Sequence, residues 1–566
     1  MFSRKTLDKV SEMMKDWEKE VEEDYVKKLK FGSPQYTSES GIPLKYVYTP
    51  EDVKDSEPEM PGAFPYTRGN RALGYQYMPW MIQILHGYGT GEETRERTKY
   101  LVKEGMKGYG DTPAVLFAVD TPTHCGFDPD NPKARGMVGL GGVNITTLDD
   151  IDTLLKDYDL PKTRVADNIR FACLPFLAMY VAYAEGRGHK PGELNGQSQN
   201  GLGNRCITTN LPSPVPDAQY RLEIELIKYS CQNIKRWNHT NLCGYVLGEM
   251  NATPAQELGI VLSKAVDLVE GGIKAGLKPD EFVSRFSSQV HLGMDFFEEI
   301  AKLRAWRRMW AKIMKERFGC KDPRSLQYRI HVHTAGSSLT SQQPLNNIAR
   351  ATLQVLACVL GGVQSMHTNS YDEAIGLPSE EAVRTAIRIN QIVLHETGIP
   401  YVTDPMGGSY YLESLTDKVE EESEKVRAEI ESKGGYFECI KNGWLRQLLE
   451  RQSIKWRQEV DSGERVVVGL NKFKIEEKEE VPAFTLYQPE IEAEVIKKME
   501  RWKANRNNTE VRDSLERVKE AMSDYDNVEK AGILMPKLIE AARARCTLGE
   551  MMEAIVEVSG GRIYST

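Results

Sequence analysis

The 566-residue sequence lacks every short motif that by itself would name a reaction. It has no Walker loop for phosphate, no GxSxG nucleophile motif, no GxGxxG after a first strand and no CxxC pair among its nine cysteines. Scattered cysteines argue for a reducing compartment and against structural zinc or disulfides. No apolar run approaches the roughly 20 residues that a membrane span needs, and the charged N-terminus is unlike a signal peptide. We therefore expect a cytoplasmic protein without a membrane segment.

The composition is 40% hydrophobic and 27% charged, as in ordinary globular proteins, and the net charge is −9. An acidic chain does not favour a nucleic-acid partner. His331 and His333 alternate along one segment, so both point to the same face of a strand. Two histidines alone are more often hydrogen-bonded pocket residues than metal ligands, and we predict no metal site.

From about residue 71 to 410, a short strand-like run and a helix of 12 or more residues alternate. The predicted strands are 114–120, 164–170, 241–247, 281–288, 326–334, 362–368 and 400–404, and the predicted helices include 148–155, 175–185, 254–275, 295–318 and 379–396. Alternating elements predict an α/β fold with a parallel sheet. The number of units and the missing GxGxxG favour a (β/α)8 TIM barrel over a doubly wound sheet.

The same pattern predicts four parts of the chain. Residues 1–70 form an N-terminal helix and an extended arm, and residues 71–415 form the substrate-binding barrel. Residues 416–480 are a helical extension of the barrel domain. Residues 481–566 are a C-terminal, linker-like helical tail.

The stretch GGVQSMHTNSYDEAIGLP, residues 361–378, joins a predicted strand to a helix capped by Ser379. It places His367, Asn369 and Glu373 where a buried strand ends. In parallel α/β folds, the carboxyl ends of the strands carry the site. The alternative is a polar strand-to-helix connection without a functional role.

Several predicted strands have unusually small and polar interiors, including RFSSQVH, RIHVHTAGSS and GQSQNG. Ordinary barrel interiors are filled by Val, Ile and Leu. This pattern predicts a bore that is not fully plugged and that admits a long, thin ligand. The alternative is that these residues belong to loops, and the residues alone do not identify a reaction.

Long segments of the chain resemble the methylmalonyl-CoA mutase family of adenosylcobalamin enzymes. The resemblance spans about residues 45–560. The matching segments are PGAFPYTRG (61–69), PTHCGFDPDNP (122–132), VGLGGVNITTLDD (138–150), CGYVLGE (243–249), RFSS (285–288), FFEEIAKLRAWRRMWAKI (296–313), RIHVHTAGSSLT (329–340), QSMHTNSYDEAIGLP (364–378) and DPMGGSYYLESLT (404–416).

The resemblance implies a barrel whose bore holds the pantetheine arm of coenzyme A. It also implies a radical carbon-skeleton rearrangement in which the thioester carbonyl group of an acyl-CoA migrates to the adjacent carbon. The DxHxxG motif of the family's cobalamin-binding module is absent. We therefore expect a large subunit that shares adenosylcobalamin with a separate, small cobalamin-binding subunit, in a heterodimer or heterotetramer.

The resemblance also assigns roles to individual residues. Residues matched to cofactor contacts are Tyr245, Glu249, Gly336, Asn369 and Glu373. Residues matched to coenzyme A contacts are Gln199, Arg285 and Ser287, with Arg71 as the substitute for a family arginine that is Met78 here. His331 is matched to the bore near the substrate.

The acyl pocket departs from the family. The tyrosine and arginine that clamp a substrate carboxylate are replaced by Leu85 and Thr209. The catalytic histidine, which hydrogen-bonds the migrating carbonyl, is replaced by Val246. Because burying a carboxylate without a cation is costly, a pocket of Met81, Leu85, Thr209 and Val246 predicts a neutral acyl group. His333 and Gln289 are candidate replacement donors, and with His331 they form the predicted catalytic set.

The leading interpretation is a mutase for an acyl-CoA without a free carboxylate, of the isobutyryl, 2-hydroxyisobutyryl or pivalyl kind. The isobutyryl enzymes keep the catalytic histidine and carry glutamine where Thr209 stands, and the hydroxyisobutyryl enzymes carry an aspartate where Ala118 stands, so neither known pattern fits fully. A second interpretation is a methylmalonyl- or ethylmalonyl-CoA mutase with a rearranged carboxylate clamp that uses Arg71. A third is a non-catalytic paralogue that binds acyl-CoA.

Overall fold

The computed structural model describes residues 3–21, 36–54, 58–106, 114–475 and 488–563. Its strands are β1 Tyr36–Thr37, β2 Pro43–Leu44, β3 Met81–Ile82, β4 Ala114–Ala118, β5 Arg164–Asn168, β6 Asn195–Ser198, β7 Ser213–Pro214, β8 Arg236–Asn238, β9 Thr240–Cys243, β10 Phe286–Leu292, β11 His331–Thr334, β12 Ser365–His367 and β13 Arg562–Ile563.

The described part of the chain is rich in α-helix. The α-helices are α1 Arg4–Glu20, α2 Gly74–Tyr77, α3 Gly91–Glu104, α4 Thr121–Cys125, α5 Leu148–Leu155, α6 Cys173–Gly186, α7 Asn204–Thr208, α8 Pro216–Asn233, α9 Tyr245–Gly248, α10 Pro254–Lys274, α11 Pro279–Phe282, α12 Phe296–Lys312, α13 Pro323–Leu326, α14 Asn346–Leu360, α15 Glu380–Glu396, α16 Tyr410–Ser432, α17 Tyr436–Lys441, α18 Trp444–Ser462, α19 Pro489–Ala504, α20 Asn508–Met522, α21 Leu534–Arg543 and α22 Leu548–Val558. Within these described ranges, no helix is both long and apolar enough to cross a bilayer.

Two parallel sheets form the centre of the fold. One has the strand order β3-β12-β11-β10-β9, and the other has the order β4-β5-β6-β8. At one edge, the Ala118 N–H donates to the His86 carbonyl at 2.8 Å, and His86 forms a parallel bridge with Phe117. At the other edge, β8 and β9 follow each other in the chain with His239 between them. The two sheets therefore adjoin along both edges.

Local sequence signals fix where the surrounding helices begin. Capping boxes start α3 at Thr90, α5 at Thr147 and α10 at Thr253, each with an acid or amide three residues later. Helix α6 has no polar face, since Cys173 through Ala184 are all buried. It lies under α21, which covers it from solvent. A helix that is apolar all round needs such burial on every side.

The predicted helices agree with the structure, and several predicted strands need correction. Helices α5, α6, α10, α12 and α15 lie where they were predicted. The strand predicted over 400–404 is wrong, because Ile399–Tyr401 is a 3-10 helix containing proline at its start. The strand predicted over 241–247 ends at Cys243, and the one predicted over 281–288 begins only at Phe286.

Strands β3 and β8 were missed, and β6 was indicated only by the polar segment GQSQNG, without bounds. These three strands are only two to four residues long, and β6 has the sequence NGQS, whose residues have little intrinsic preference for strands. Tertiary pairing with their neighbours, rather than local preference, defines these strands.

Described residues of the N-terminal arm and of the C-terminal tail contact the helices and loops around the two central sheets. In the N-terminal arm, β1 and β2 pair, and the Ser40 N–H donates to the Glu298 carboxylate at 3.2 Å. In the C-terminal tail, β13 pairs with β7, and the Thr547 hydroxyl donates to Asp128 at 2.6 Å. The helical tail therefore contacts β7 and the loop that carries Asp128.

Candidate active site

A polar cavity, here called the bore chamber, lies between the two parallel sheets. Residues spaced two apart on the central strands line it, as expected when alternate side chains of a strand share one face. The lining residues are Arg71, Met81, Gln83, Leu85, Leu116, Arg164, Ala166, Asp167, Gln197, Gln199, Asn238, Ser287, Arg329, Ile330, His331, His333, Gln364 and Ser365. The polar strand interiors noted in the sequence therefore do face a cavity.

A second cavity, here called the mouth chamber, lies at the carboxyl ends of the same strands. Its lining residues are Ile84, Leu85, His86, Gly87, Tyr88, Ala118, Gly141, Asn168, Arg170, Tyr245, Val246, Gln289, His333, His367, Asn369, Ser370, Glu373, Leu377 and Pro378. Leu85 and His333 line both chambers. The two chambers therefore adjoin at these side chains.

A third cavity, here called the basic cleft, opens at the amino-terminal side of the bore chamber. It contains six cationic side chains and two carboxylates. They are Arg164, Lys235, Arg236, Arg285, Arg324 and Arg329, with Asp280 and Glu281. Arg164 and Arg329 also line the bore chamber, so the excess of positive charge lies at its entrance. Burial lowers the pKa of Arg164 to about 10, which leaves it charged at neutral pH.

His367 is held in one tautomer by two hydrogen bonds. The Leu85 N–H donates to Nδ1 at 3.0 Å, so Nε2 carries the proton and donates to the Asn369 Oδ1 at 3.0 Å. Asn369 Nδ2 in turn donates to the Thr334 carbonyl at 2.7 Å. This chain fixes the orientation of the Asn369 amide at the end of β12.

Three imidazoles stack across the junction of the chambers. The rings of His333 and His367 are 4.5 Å apart and nearly parallel, and His331 lies 5.0 Å from His333 edge to face. His331 Nδ1 is also 2.8 Å from the Ser365 hydroxyl. Burial lowers the pKa of His331 to about 3, that of His367 to about 4 and that of His333 well below its usual range. All three are neutral at pH 7.

Gln289 lies over the face of the His333 ring. Its Nε2 is 2.9 Å from one ring nitrogen and 3.2 Å from the other. An atom in the plane of the ring cannot approach both nitrogens so closely, so the amide contacts the ring face. The Cys243 thiol lies 3.5 Å from the other end of the amide, at Oε1.

Tyr245, Glu249 and Asn369 converge on Gly336 from separate parts of the chain, and this group is here called the Gly336 cradle. The Glu249 carboxylate accepts from the N–H groups of Gly336 at 2.9 Å and Ser337 at 3.0 Å. A Cβ atom on Gly336 would lie 3.2 Å from Glu249 Oε2 and 3.3 Å from both Asn369 Nδ2 and the Tyr245 hydroxyl. Only glycine leaves this space open.

Two titratable groups adjoin the cradle. His291 Nε2 lies 3.3 Å from Glu249 Oε1. Burial opposes charge on His291, but Glu249 outweighs it and raises the pKa of the imidazole. Glu373 is exposed at the rim, yet the protein around its carboxyl group, with Glu249 and Asp372, raises its pKa to about 7. The cradle therefore has a carboxylate as its floor and a second, easily protonated carboxyl at its rim.

The neutral imidazoles predict how stability depends on pH. The unfolded chain binds a proton at His331 below about pH 6.5, whereas the folded chain keeps this ring neutral down to about pH 3. Acidification therefore destabilises the fold by up to about 1.4 kcal/mol per pH unit through this one group. We expect His331→Gln to lose less stability than the wild type between pH 6.5 and 4 in urea unfolding.

The matched control for this measurement is His395→Gln, since His395 is exposed on α15. It should keep the wild-type dependence on pH. Equal pH dependence in His331→Gln and the wild type would contradict the assignment of a neutral, buried His331.

The structure brings most of the sequence-predicted residues together. Arg71, Met81, Gln199, Ser287 and His331 line the bore chamber, and Leu85 and His333 line both chambers. Residues at the mouth chamber are Tyr245, Val246, Gln289, Asn369 and Glu373, with Glu249 and Gly336 in the adjoining cradle.

Two predicted residues lie elsewhere. Thr209 follows α7 on a half-buried loop and lines neither chamber. Arg285 lies in the basic cleft, where its guanidinium donates to the carbonyls of Ser230 at 3.0 Å and Ile234 at 3.2 Å. Its guanidinium therefore holds the C-terminal end of α8.

The sequence reasoning missed one residue of the mouth chamber, Arg170, which lies two residues beyond the end of β5. It placed His367 at the end of a buried strand without giving it a role, and His367 does end β12, where it belongs to the central three-ring stack. Position at the carboxyl end of a parallel strand is the signal that points to Arg170. For Arg170 that signal was obscured, because the predicted strand ran through it to residue 170.

Several known proteins resemble this chain over nearly its whole length. A family model described as methylmalonyl-CoA mutase matches residues 37–561. The chain is 35% identical to the 2-hydroxyisobutanoyl-CoA mutase large subunit of Aquincola tertiaricarbonis, over 96% of both chains. It is 35% identical to methylmalonyl-CoA mutase of Escherichia coli, over 91% of this chain and 71% of that protein. It is 34% identical to human mitochondrial methylmalonyl-CoA mutase, over 94% of this chain and 70% of that protein.

The family match covers nearly all of the described structure, including the strands and loops that form the three cavities. The chain therefore belongs to the methylmalonyl-CoA mutase family, whose members are adenosylcobalamin-dependent isomerases of acyl-CoA.

Proposed function

We propose that the chain is the large, substrate-binding subunit of an adenosylcobalamin-dependent acyl-CoA mutase. The observation that carries this proposal is the order of the three cavities. The basic cleft suits the phosphates of coenzyme A, the polar bore chamber suits the pantetheine arm, and the mouth chamber suits the acyl group. Cations that face an anion at a partly desolvated site form strong, charge-assisted hydrogen bonds.

We propose that the two adjoining sheets form one (β/α)8 barrel. Its eight strands would be β3, β4, β5, β6, the continuous β8–β9 segment, β10, β11 and β12. The hydrogen bond from Ala118 to His86 and the single residue between β8 and β9 support this arrangement. The four-part division into arm, barrel, helical extension and tail is proposed with it. In such a barrel, the mouth chamber lies at the face that carries active sites.

We propose an acyl group without a free carboxylate, as in isobutyryl, 2-hydroxyisobutyryl or pivalyl thioesters. The support is the hydrocarbon wall of the mouth chamber at Leu85, Ala118 and Val246, beside imidazoles that are neutral at pH 7. Arg71 lies in the bore chamber and not at the mouth. It is therefore poorly placed to clamp a carboxylate on the acyl end, and Arg170, which does line the mouth chamber, is proposed to bind the thioester carbonyl instead.

The Gly336 cradle fits a large cofactor at the mouth. It is open where any side chain on residue 336 would fill it, and its polar groups come from three separate loops. Tyr245, Glu249, Asn369 and Glu373 would hold the cofactor beside Gly336. Adenosylcobalamin, when bound, supplies the radical that removes a hydrogen atom from the acyl group.

The chain's own residues position the substrate and exclude water. Asn369 is oriented by Thr334 and His367, so it needs little reorganisation on binding. The imidazole stack lines the junction of the bore and mouth chambers without introducing charge. A closed and dry site protects reactive intermediates from side reactions.

Filling the cradle should impair cofactor use while leaving the fold intact. The backbone of Gly336 is outside the left-handed region, so Gly336→Val is not excluded by its backbone angles. Its side chain would push Glu249, Asn369 and Tyr245 apart. A displacement near 1 Å at a catalytic site costs about 10²-fold in turnover. We expect a loss of that size, together with weaker binding of adenosylcobalamin in a spectroscopic titration of the assembled enzyme.

Gly186→Val is the control, since Gly186 is exposed at the end of α6 and has no atoms near its Cβ position. Its turnover and cofactor titration should match the wild type. Wild-type cofactor binding by Gly336→Val would show that the cradle does not face the cofactor.

We propose a small cobalamin-binding subunit as the partner, in a heterodimer or heterotetramer. The support is that a relative named as a large subunit aligns with this chain over 96% of both lengths. A cytoplasmic location is proposed on nine cysteines that are all free thiols in the structure.

The test is reconstitution of turnover. The chain is mixed with a small cobalamin-binding subunit, adenosylcobalamin and one acyl-CoA at a time, and the acyl-CoA isomers are separated by chromatography with mass detection. A rearranged isomer of a neutral acyl-CoA supports the proposal. Tight binding of acyl-CoA without any isomer, in a demonstrably assembled complex, would instead support the non-catalytic paralogue.

A further inference from the structure

Arg170 occupies a special position in the mouth chamber. It follows β5 after the single residue Ile169 and begins a 3-10 helix, and its φ of +62° lies in the left-handed region that non-glycine residues rarely adopt. Such a conformation costs about 1–3 kcal/mol and persists where the surrounding structure enforces it, often at functional sites. The turn places the arginine among the residues that line the chamber rather than letting β5 continue.

Arg170 is also the one lysine or arginine lining this chamber in the part of the chain that the structure describes. Its Nε donates to the Asn168 Oδ1 at 3.2 Å, and no described residue accepts from its two terminal nitrogens. Two donor nitrogens of the guanidinium are thus available to a ligand, in a fixed fork.

The neighbouring polar groups are already engaged. Both nitrogens of His367 are hydrogen-bonded, His331 pairs with Ser365, and the Gln289 amide lies over His333. Val246 and Leu85 present only hydrocarbon. Any oxygen on the acyl part of a substrate in this chamber therefore finds its strongest available donor in Arg170.

We propose that Arg170 donates a charge-assisted hydrogen bond to the thioester carbonyl oxygen of the substrate. This inference rests on the proposed function, because it places the acyl end of an acyl-CoA in the mouth chamber. Arg170 is then a catalytic residue that polarises the carbonyl group as that group moves between carbons. The neighbouring Asn168 holds the guanidinium in place through Nε.

A positive donor suits this task for an electrostatic reason. When a carbon radical bonds to the carbonyl carbon, the oxygen gains radical character and partial negative charge, and a preorganised cationic donor polarises the C=O bond and stabilises that partial charge without reorganisation. Removing one such donor typically lowers kcat by about 10²–10³-fold. We expect a loss of about 10²-fold for Arg170→Met, with little change in KM, since the phosphate and pantetheine contacts remain.

The direct test is infrared difference spectroscopy of the full chain with isobutyryl-CoA, with and without ¹³C at the thioester carbonyl. In the wild type, the bound carbonyl band should lie at lower frequency than in solution, because a cationic donor weakens the C=O bond. Arg170→Met should abolish this shift, and Arg170→Lys should restore part of it. Arg457→Gln, an exposed arginine on α18, is the control and should keep the full shift.

Each other outcome has a separate meaning. An unchanged shift in Arg170→Met overturns the proposal and leaves the proposed function standing. With methylmalonyl-CoA, an effect of Arg170→Met on the carboxylate band but not on the thioester band also overturns it, in favour of a carboxylate clamp at Arg170. The absence of any bound thioester band in the wild type would contradict the proposed function itself.

Discussion

Replacing Ala166 by phenylalanine is expected to weaken the binding of acyl-CoA esters strongly. Ala166 lies on β5 in the wall of the bore chamber, between Arg164 and Asn168 on the same face of the strand. A phenyl ring would enter the passage that we assign to the pantetheine arm. Because this ring enters a cavity and not a packed core, the usual overpacking cost of about 1–3 kcal/mol should be reduced. Isothermal calorimetry with isobutyryl-CoA should show affinity reduced at least about 10²-fold.

Ala504→Phe is the matched control, since Ala504 is exposed at the end of α19. It carries the same change of side chain and should bind like the wild type. Full affinity in Ala166→Phe, with the fold verified by circular dichroism, would mean that the ligand does not pass through the bore chamber.

Replacing Lys302 by methionine is expected to lower the free energy of unfolding more than any other substitution proposed for this chain. Its Nζ contacts Glu257 at 2.7 Å and Glu299 at 2.6 Å, and it donates to the His291 carbonyl at 2.6 Å. Burial opposes its charge, but the two carboxylates outweigh burial and raise the pKa of Lys302. Removing one member of a buried ion pair typically costs about 3–5 kcal/mol, because the remaining charges lose their partner. Urea unfolding should show a loss of this size.

Lys312→Met on the same helix is the control. Lys312 pairs with Glu420 at 2.8 Å, but its side chain is 41% exposed, and such pairs contribute about 0–1 kcal/mol. Similar midpoints for the two variants would contradict a central role for the buried network. Because Lys302 holds the backbone of His291, beside Glu249, its loss should also weaken cofactor binding.

The sequence predicted well those features that depend on local periodicity. Ser379 caps α15 through a hydrogen bond to the Ala382 N–H, as expected from its type and position. The alternation of His331 and His333 correctly indicated one shared face, and their rings lie 5.0 Å apart. The polar strands correctly indicated a cavity. These features follow from the repeat of a strand or helix and need no knowledge of distant residues.

Contacts between residues that are far apart in the sequence could not be predicted from local sequence patterns. Tyr245, Glu249, Gly336 and Asn369 meet at one cradle although they come from three separate parts of the chain. Only the family resemblance placed them together. Arg170 was missed because its role depends on a single left-handed backbone conformation, which residue preferences argue against. Arg285 was assigned to coenzyme A through the family resemblance, and the structure adds that its guanidinium donates to carbonyls at the C-terminal end of α8, a contact that the sequence did not indicate.

The central claim is that this chain initiates radical chemistry on an acyl-CoA without a free carboxylate. The most direct measurement is electron paramagnetic resonance of the chain assembled with a small cobalamin-binding subunit and adenosylcobalamin, after addition of single acyl-CoAs. We expect cob(II)alamin and coupled radical signals with isobutyryl-, 2-hydroxyisobutyryl- or pivalyl-CoA, and little signal with methylmalonyl- or succinyl-CoA. Stronger signals with the carboxylate-bearing thioesters would contradict the assignment of a neutral acyl pocket at Leu85, Ala118 and Val246.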